Sequence, residues 1–246
     1  MKFLPVQWRD RLASTNTELL EWIRGGRQLP SGFVLAAREQ SAGRGRYERR
    51  WISRPGRDLT FSFLIRTRAG YPRLASLSMA AALGAACAIE TFGIPTRTKW
   101  PNDILVKDRK VGGILAEQCD VSPAPGNALV VGMGINVNST EAETSSIDKP
   151  ATSMRLETDR EYEVDEVLER VLEALSGWIG RWERGGFTAI RKEWEARCAG
   201  LGGVVSVQEG IHRRSGTLDG FGKEGQLLLL GDDGAVREVW AGDLSF

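Results

Sequence analysis

The spacing of apolar residues changes along the chain, and it predicts a helix in some segments and a strand in others. Thr15 to Glu18 have the spacing of a capping box with Thr15 as the N-cap, and the apolar residues that follow predict a helix ending at Gly25-Gly26. Positions 33–37 are continuously apolar and predict a buried strand, whereas positions 59–65 alternate and predict a half-exposed one.

Helical and extended patterns continue through the middle of the chain. Small apolar residues over 74–92 predict a helix packed closely on a sheet and ending at Gly93. Residues 127–138 predict a central strand, whose glycines leave space for something to lie against the backbone. The polar stretch 139–153 predicts a mobile loop, and apolar positions spaced by threes and fours predict an amphipathic helix over 164–182. A shorter helix is expected around 187–197.

The period changes to two after Gly200. Four or five short apolar runs follow in about fifty residues, and Asp232-Asp233-Gly234 has the composition of a hairpin turn. This pattern predicts a small antiparallel barrel. We therefore expect a catalytic or binding domain over residues 1–199 and a small β-domain over residues 200–246.

Composition narrows the function classes. The 246 residues are 41% apolar and 26% charged, with a formal net charge of +1, so a cationic site has to be local. The one histidine, His212, excludes a histidine-pair metal site and leaves little room for a Ser-His-Asp hydrolase.

The cysteines and the hydropathy of the chain predict the cellular compartment of the protein. Cys87, Cys119 and Cys198 lie far apart without a Cys-x-x-Cys spacing, as expected for reduced thiols. The N-terminus does not resemble a signal peptide, and we expect no apolar run long enough to span a bilayer. These features predict a cytoplasmic protein that does not contact a membrane.

A lysine-containing block is the first candidate for chemistry. Lys99-Trp100-Pro101-Asn102-Asp103 is followed by a short strand, a charged turn over 108–110 and a strand that opens on Gly112-Gly113. A lysine fixed before a proline turn can serve as a point charge beside a phosphate, and two glycines let a backbone approach a flat ligand. The alternative is a β-hairpin with a solvated basic turn.

A second cationic segment, Gly43 to Trp51, alternates glycine and arginine. Arginine side chains bind phosphate or carboxylate oxygens two at a time, and nothing here resembles a Walker loop. The alternatives are a disordered basic loop or a nucleic-acid contact that uses Tyr47 and Trp51. Ser14-Thr15-Asn16 is either a helix cap or a polar anchor for a small ligand, while Gln40 and Asn136 are more often strand-end and turn residues.

Five motifs in this order resemble those of the biotin protein ligases. They are Ser14-Thr15-Asn16, Gln40 with Gly43-Arg44-Gly45-Arg46, Lys99-Trp100-Pro101-Asn102-Asp103, Gly132-Met133-Gly134-Ile135-Asn136, and Trp240-Ala241-Gly242-Asp243. The resemblance covers nearly the whole chain. It departs from the family pattern at Tyr47-Glu48, where an arginine and a glycine are usual.

The resemblance implies an α+β fold with a mixed, mostly antiparallel sheet, like that of class II aminoacyl-tRNA synthetases, and a C-terminal Src-homology-three-like barrel. It implies attachment of biotin, through biotinyl-5′-AMP, to a lysine of the biotin carboxyl carrier protein of acetyl-CoA carboxylase. ATP, biotin and magnesium are the implied small molecules, with no dedicated protein ligands for the metal.

Site roles carried over from the family are expectations. Lys99, Arg44 and Arg46 would be catalytic. Biotin would be bound by Ser14, Thr15, Asn16, Gln40, Arg44, Gly45, Arg46, Lys99, Gly112 and Gly113. ATP would be bound by Arg44, Arg46, Arg49, Trp51, Lys99, Asn102, Asn136 and Ala151, and residues 139–153 would close over the adenine.

Competing functions and assembly stay open at this point. A lipoate or octanoate ligase shares the adenylation logic, and a nucleic-acid-binding module is the alternative from another class. The Ser-Thr-Asn motif begins thirteen residues into the chain, so we expect the form without an N-terminal DNA-binding domain and no binding of operator DNA. A homodimer is possible, with strand 59–65 or 127–137 providing an exposed sheet.

Overall fold

The computed structural model describes residues 1–120, 126–145 and 149–246. Its helices are α1 (Thr15–Arg24), α2 (Tyr71–Leu74), α3 (Leu77–Glu90), α4 (Glu141–Thr144), α5 (Met154–Thr158), α6 (Val164–Gly185) and α7 (Arg191–Arg197), with a 3₁₀ turn at Gly186–Ala189. Its strands are β1 (Gln7–Leu12), β2 (Val34–Gln40), β3 (Leu59–Thr67), β4 (Arg97–Lys99), β5 (Asp103–Val106), β6 (Arg109–Cys119), β7 (Asn127–Ile135), β8 (Val204–Glu209), β9 (His212–Phe221), β10 (Leu227–Leu230), β11 (Val236–Val239) and β12 (Asp243–Ser245).

Seven strands form the main sheet in the order β1-β2-β3-β7-β6-β5-β4. Strands β1 and β2 run parallel, and the other neighbouring pairs run antiparallel. Helices α3 and α6 cover one face and α1 covers part of the other. The predicted α+β class with a mixed, mostly antiparallel sheet is confirmed, and β7 lies at its centre as predicted.

Strand β3 is buried on both faces, so the prediction of a half-exposed strand is wrong. Phe61 and Phe63 pack in the core with α3 and α6, while Leu64 packs with α1 on the opposite face. Thr60 and Ser62 on that second face are also buried. Because β3 and β7 are interior strands with neighbours on both sides, neither provides the exposed sheet that was expected for a dimer.

The predicted helix over 74–92 is divided into α2 and α3, and Gly93 follows with a φ of 80°. The segment Tyr71–Glu90 is long and apolar enough to cross a membrane, so the expectation that no run has this length is wrong. Within its most apolar 18-residue stretch, 72% of the residues are buried inside the protein. Its composition therefore follows from packing between the sheet and α6.

Five strands form the C-terminal sheet in the antiparallel order β11-β10-β9-β8-β12, and β10 and β11 are joined by the predicted hairpin. Phe221 in β9 packs against Phe187 and Trp194, with ring centroids 5.8 and 6.2 Å apart. One apolar core extends across residue 200, and the division into domains 1–199 and 200–246 stays a prediction.

Candidate functional site

A cavity of about 560 Å³ lies on the face of the main sheet that α1 leaves open. The N-terminus of α1, the segment 43–51 and the β5–β6 hairpin surround it. Every predicted site residue except Lys99 and Gly112 lines this cavity. Residues in the lining that carried no predicted role are Arg50, Ile52, Asp103, Lys110, Ile114, Leu115, Gly132, Met133, Gly134, Lys149 and Asp243.

The first turn of α1 presents polar groups to the cavity. Ser14, rather than Thr15, is the N-cap, and its side chain makes no capping hydrogen bond. The backbone N–H of Thr15 donates to Gln40 Oε1 at 2.8 Å, and the Thr15 hydroxyl lies 2.6 Å from that of Ser62. The predicted capping box is therefore wrong, because the Thr15 side chain bonds to Gln40 and Ser62 in the sheet beneath the helix and not to its own helix.

Asn16 is the centre of a buried polar network on the cavity floor. Its Nδ2 donates to Glu117 Oε2 at 2.8 Å and to the Leu115 carbonyl at 3.2 Å, while Oδ1 accepts from Ser62 Oγ at 2.6 Å. A Cβ on Gly132 would lie 2.1 Å from Asn16 Oδ1. The glycine in the central strand thus leaves space for this side chain, as its pattern suggested.

The segment 43–51 is a tight hairpin. Gly45 N–H donates to the Arg49 carbonyl at 2.7 Å, and Trp51 N–H donates to the Gly43 carbonyl at 2.9 Å. Tyr47 and Glu48, the two residues that depart from the family pattern, form the turn with φ values of 54° and 59°. Left-handed φ is disfavoured by roughly 1–2 kcal/mol for residues with a Cβ, so the turn is strained.

Ion pairs hold the arginines of this hairpin. Arg44 Nη2 lies 2.8 Å from Glu117 Oε1, which ties it to the Asn16 network. Arg46 donates to the Gly242 carbonyl at 3.1 Å, and Arg49 forms an ion pair with Asp243. The C-terminal sheet therefore supplies part of the cavity rim.

Trp51 covers the central strand at the other side of the cavity. A Cβ on Gly134 would lie 2.1 Å from Trp51 Cε2, so the indole can lie flat on the strand because this residue is glycine. Among the described residues, the buried Trp51 Nε1 has no hydrogen-bond partner. A flat apolar wall with an available donor is the result.

Lys110, rather than Lys99, brings an ammonium group into the cavity. Lys110 Nζ forms a 2.6 Å ion pair with Asp103 and lies 5.6 Å from the Trp51 ring centroid. A Cβ on Gly113 would come within 2.9 Å of Lys110 Cε and Nζ, so the glycine leaves space for the lysine. A Cβ on Gly112 would lie 3.0 Å from the Gly134 carbonyl, so that glycine serves strand packing.

Lys99 lies outside the cavity lining. Its Nζ is 5.4 Å from the centroid of the Phe246 ring, and burial lowers the pKa of its ammonium group. Its charge nevertheless interacts with those of Asp103, Lys149, Lys110 and Asp243, all of which line the cavity, so Lys99 lies beside it and its contact with a ligand stays a prediction. In the sequence, Lys110 could have been recognised by its position near the start of the predicted strand that carries Gly113.

Two asparagines and an alanine complete the lining. Asn102 Nδ2 donates to the Ile114 carbonyl at 2.6 Å, and Asn136 Nδ2 donates to the Thr152 carbonyl at 2.9 Å. Ala151 pairs with Lys110 in an isolated bridge. The described part of the predicted loop 139–153 contains α4, and residues 146–148 lie outside the described residues.

Comparisons with known proteins agree with this arrangement. Residues 8–136 match the model of the biotin/lipoate A/B protein ligase family. A biotin–[acetyl-CoA-carboxylase] ligase of Paracoccus denitrificans is 33% identical over 91% of this chain and 93% of its own length. The bifunctional ligase/repressor BirA of Bacillus subtilis is 29% identical over 96% of this chain and 72% of its length. The biotin protein ligase of Aquifex aeolicus in complex with biotin and ATP superposes with a TM-score of 0.84 at 32% identity, covering 99% of this chain and 98% of that one.

Proposed function

The chain belongs to the biotin/lipoate A/B protein ligase family, and we propose that it attaches biotin to a lysine of a biotin carboxyl carrier domain, using ATP. One cavity with a buried, uncharged polar end and a cationic end carries this proposal. A ureido ring attached to a carboxylate chain needs that polarity, because its head is neutral and its tail is charged.

The neutral end would bind the ureido head. Ser14 offers a hydroxyl group that makes no capping bond, and Thr15 offers a hydroxyl oxygen that can still accept although it bonds to Ser62. Gln40 offers its amide NH₂, since its Oε1 accepts from Thr15. Asn16 would act beneath them, since its own donors and acceptor are already used within the network. Gly45 and Gly113 would let the valeryl chain pass close to the backbone.

The cationic end would carry the adenylation. The biotin carboxylate attacks the α-phosphorus of ATP, a P–O bond forms, and pyrophosphate leaves with the electrons of the broken bond. Negative charge builds on the phosphoryl oxygens, and preorganised cations stabilise it. We assign this role to Lys99 with Arg44 and Arg46, and we add Lys110 as a further cation because it lines the cavity and its charge interacts with that of Lys99.

The second step transfers the biotinyl group. An uncharged lysine amine of the carrier domain attacks the acyl carbonyl of biotinyl-5′-AMP, an amide forms, and AMP leaves. Arg46, held between Asn102 and the Gly242 carbonyl, would help to retain the adenylate until the acceptor arrives.

Trp51, Asn136 and Ala151 would form the nucleotide end, with Arg49 near the phosphates and residues 139–153 closing over the adenine. Among the described residues, no group of three or more His, Cys, Asp and Glu side chains is arranged to hold a metal ion. Asp103 and Asp243 at the cavity are ion-paired. Magnesium would therefore be held through phosphate oxygens and water.

Further expectations belong to the same proposal. The C-terminal sheet would be the Src-homology-three-like barrel, and the acceptor would be the carrier protein of an acetyl-CoA carboxylase. Free thiols at all three cysteines suit a reducing cytoplasm. A homodimer, and the absence of DNA and membrane binding, stay predictions.

Substrate selection tests the proposal. Pyrophosphate release from ATP is measured with biotin, lipoate or octanoate, and a biotin carrier domain is then added and analysed by mass spectrometry. We expect release with biotin alone and one biotinyl group on the carrier lysine. Release with lipoate or octanoate but not biotin would identify a lipoyl-type ligase, and no release with any acid would contradict the proposal.

A further inference from the structure

Glu157 is a buried carboxylate that lines no part of the cavity, yet it contacts both segments that meet at the nucleotide end. Its side chain is 2% exposed. Glu157 Oε1 accepts from Arg109 at 2.5 Å and from the Thr152 hydroxyl at 2.6 Å, and Oε2 lies 3.1 Å from Lys107 Nζ. Replacing a buried carboxylate whose two oxygens are both bonded lowers the stability of its surroundings, because it leaves buried partners unpaired.

Its partners lie immediately beside cavity residues. Lys107 and Arg109 belong to the β5–β6 turn that leads into Lys110, and Thr152 follows Ala151 directly. Lys110 N–H donates to the Pro150 carbonyl at 2.9 Å, and Thr152 N–H donates to the Lys110 carbonyl at 2.9 Å. The carboxylate thus holds together the two segments that this bridge joins.

Thr152 also fixes a third cavity residue. Its carbonyl accepts from Asn136 Nδ2 at 2.9 Å. Thr152 is fully buried, so its hydroxyl, N–H and carbonyl are all used within the protein. Displacing Thr152 would move Lys110, Ala151 and Asn136 together.

We infer that Glu157 is a positioning residue for the nucleotide: through Thr152 and the 107–110 turn it sets the placement of Lys110, Ala151 and Asn136 around ATP. This inference rests on the proposed function. The biotin end of the cavity is built on α1 and β2 and has no bond to Glu157. Loss of the carboxylate should therefore weaken ATP use and leave biotin binding unchanged.

The chain contains a matched control. Glu90 accepts from the Arg197 guanidinium at 3.0 Å and from the Thr96 hydroxyl at 2.8 Å, which repeats the Glu157 pairing at a place outside the cavity lining. E90A and T96V remove the counterparts of the Arg109 and Thr152 bonds, whereas the Lys107 ion pair is lost in E157A alone. A purely structural effect would appear in both pairs.

The experiment measures KM for ATP, kcat and, by calorimetry without ATP, the Kd for biotin. We expect KM for ATP to rise at least tenfold in E157A and several-fold in the isosteric T152V. Biotin Kd should stay within twofold in both, and E90A and T96V should keep the parent KM for ATP.

An unchanged KM for ATP in E157A and T152V, or an equal rise in E90A and T96V, would overturn the inference. If E157A fails to fold, T152V and T96V decide the question. A parent protein that releases no pyrophosphate with biotin contradicts the proposed function instead, so the two failures are distinguishable.

Discussion

Replacing Gly132 with alanine tests whether the buried polar floor of the cavity depends on a missing side chain. The new Cβ would lie 2.1 Å from Asn16 Oδ1 and 2.8 Å from its Cγ, and β7 is paired with β3 on one side and with β6 on the other. Asn16 would have to leave its bonds to Ser62, Glu117 and the Leu115 carbonyl.

The magnitude follows from those three bonds. A net contribution of about 1 kcal/mol for each neutral hydrogen bond, and somewhat more for the bond to a carboxylate, lowers the free energy of unfolding by about 3–4 kcal/mol. For a protein of this size such a loss lowers Tm by about 5–15 °C. Glu117 would also lose one of its partners, so biotin-dependent pyrophosphate release should fall.

Gly177 provides the control. It lies inside α6, and a Cβ there would meet nothing within 4 Å. G177A should stabilise the protein by about 0.5–1 kcal/mol, because alanine favours the helix. Urea unfolding of both variants gives the comparison. A G132A variant within about 0.5 kcal/mol of the parent would refute the steric reasoning.

Three further predictions concern the core, pH and thiols. F221A should lower the free energy of unfolding by about 3–5 kcal/mol in urea titrations, since Phe221 is buried between Phe187 and Trp194; a loss below about 1 kcal/mol would contradict this packing. Burial raises the pKa of the Glu157 carboxyl, but the Thr152 and Lys107 hydrogen bonds outweigh it and the net pKa is lowered. The stability from this group is therefore present above its unfolded pKa of about 4.3 and is lost as pH falls through the folded value. The difference in unfolding free energy between parent and E157Q should shrink below about pH 4, and a constant difference would contradict the ion pairs. Burial raises the pKa of the Cys198 thiol to about 12, so maleimide at pH 8 should leave it unlabelled in the native protein and label it in urea; native labelling would contradict its burial.

Local patterns predicted most of the elements because their periods report directly on burial. The long helix α6, the central strand β7 and the hairpin between β10 and β11 follow from apolar spacing and turn residues. Glycines in β7 predicted close approach to the backbone, and Asn16 and Trp51 are the groups that make it.

The errors arise where tertiary contacts reassign a polar side chain. Thr60 and Ser62 gave β3 an alternation typical of an exposed face, but both are buried, with Thr60 bonded to the Ala37 carbonyl and Ser62 to Asn16. Thr15 has the spacing of a helix cap, yet it forms its hydrogen bonds with Gln40 in β2 and Ser62 in β3. The spacing of residues along the sequence does not identify hydrogen-bond partners that lie on other strands.

The presence of Lys110 near Lys99 depends on strand order, which the sequence did not reveal. Lys99 ends β4 at the edge of the sheet, whereas Lys110 lies in β6 beside the central strand. Lys99 pairs with Asp103 in β5, and Asp103 forms the ion pair with Lys110. The motif predicted Lys99, but it could not predict that a later strand brings a second ammonium group to the cavity.

Biotin-dependent pyrophosphate release by the parent, K99A and K110A is the most direct test of the central claim, that biotin is adenylated in the cavity beside which Lys99 and Lys110 lie. We expect K99A to lose about 10²–10³-fold in rate while keeping its fold. K110A should also be slower than the parent, by about tenfold or more. A K99A variant and a K110A variant that are both as fast as the parent would contradict this account.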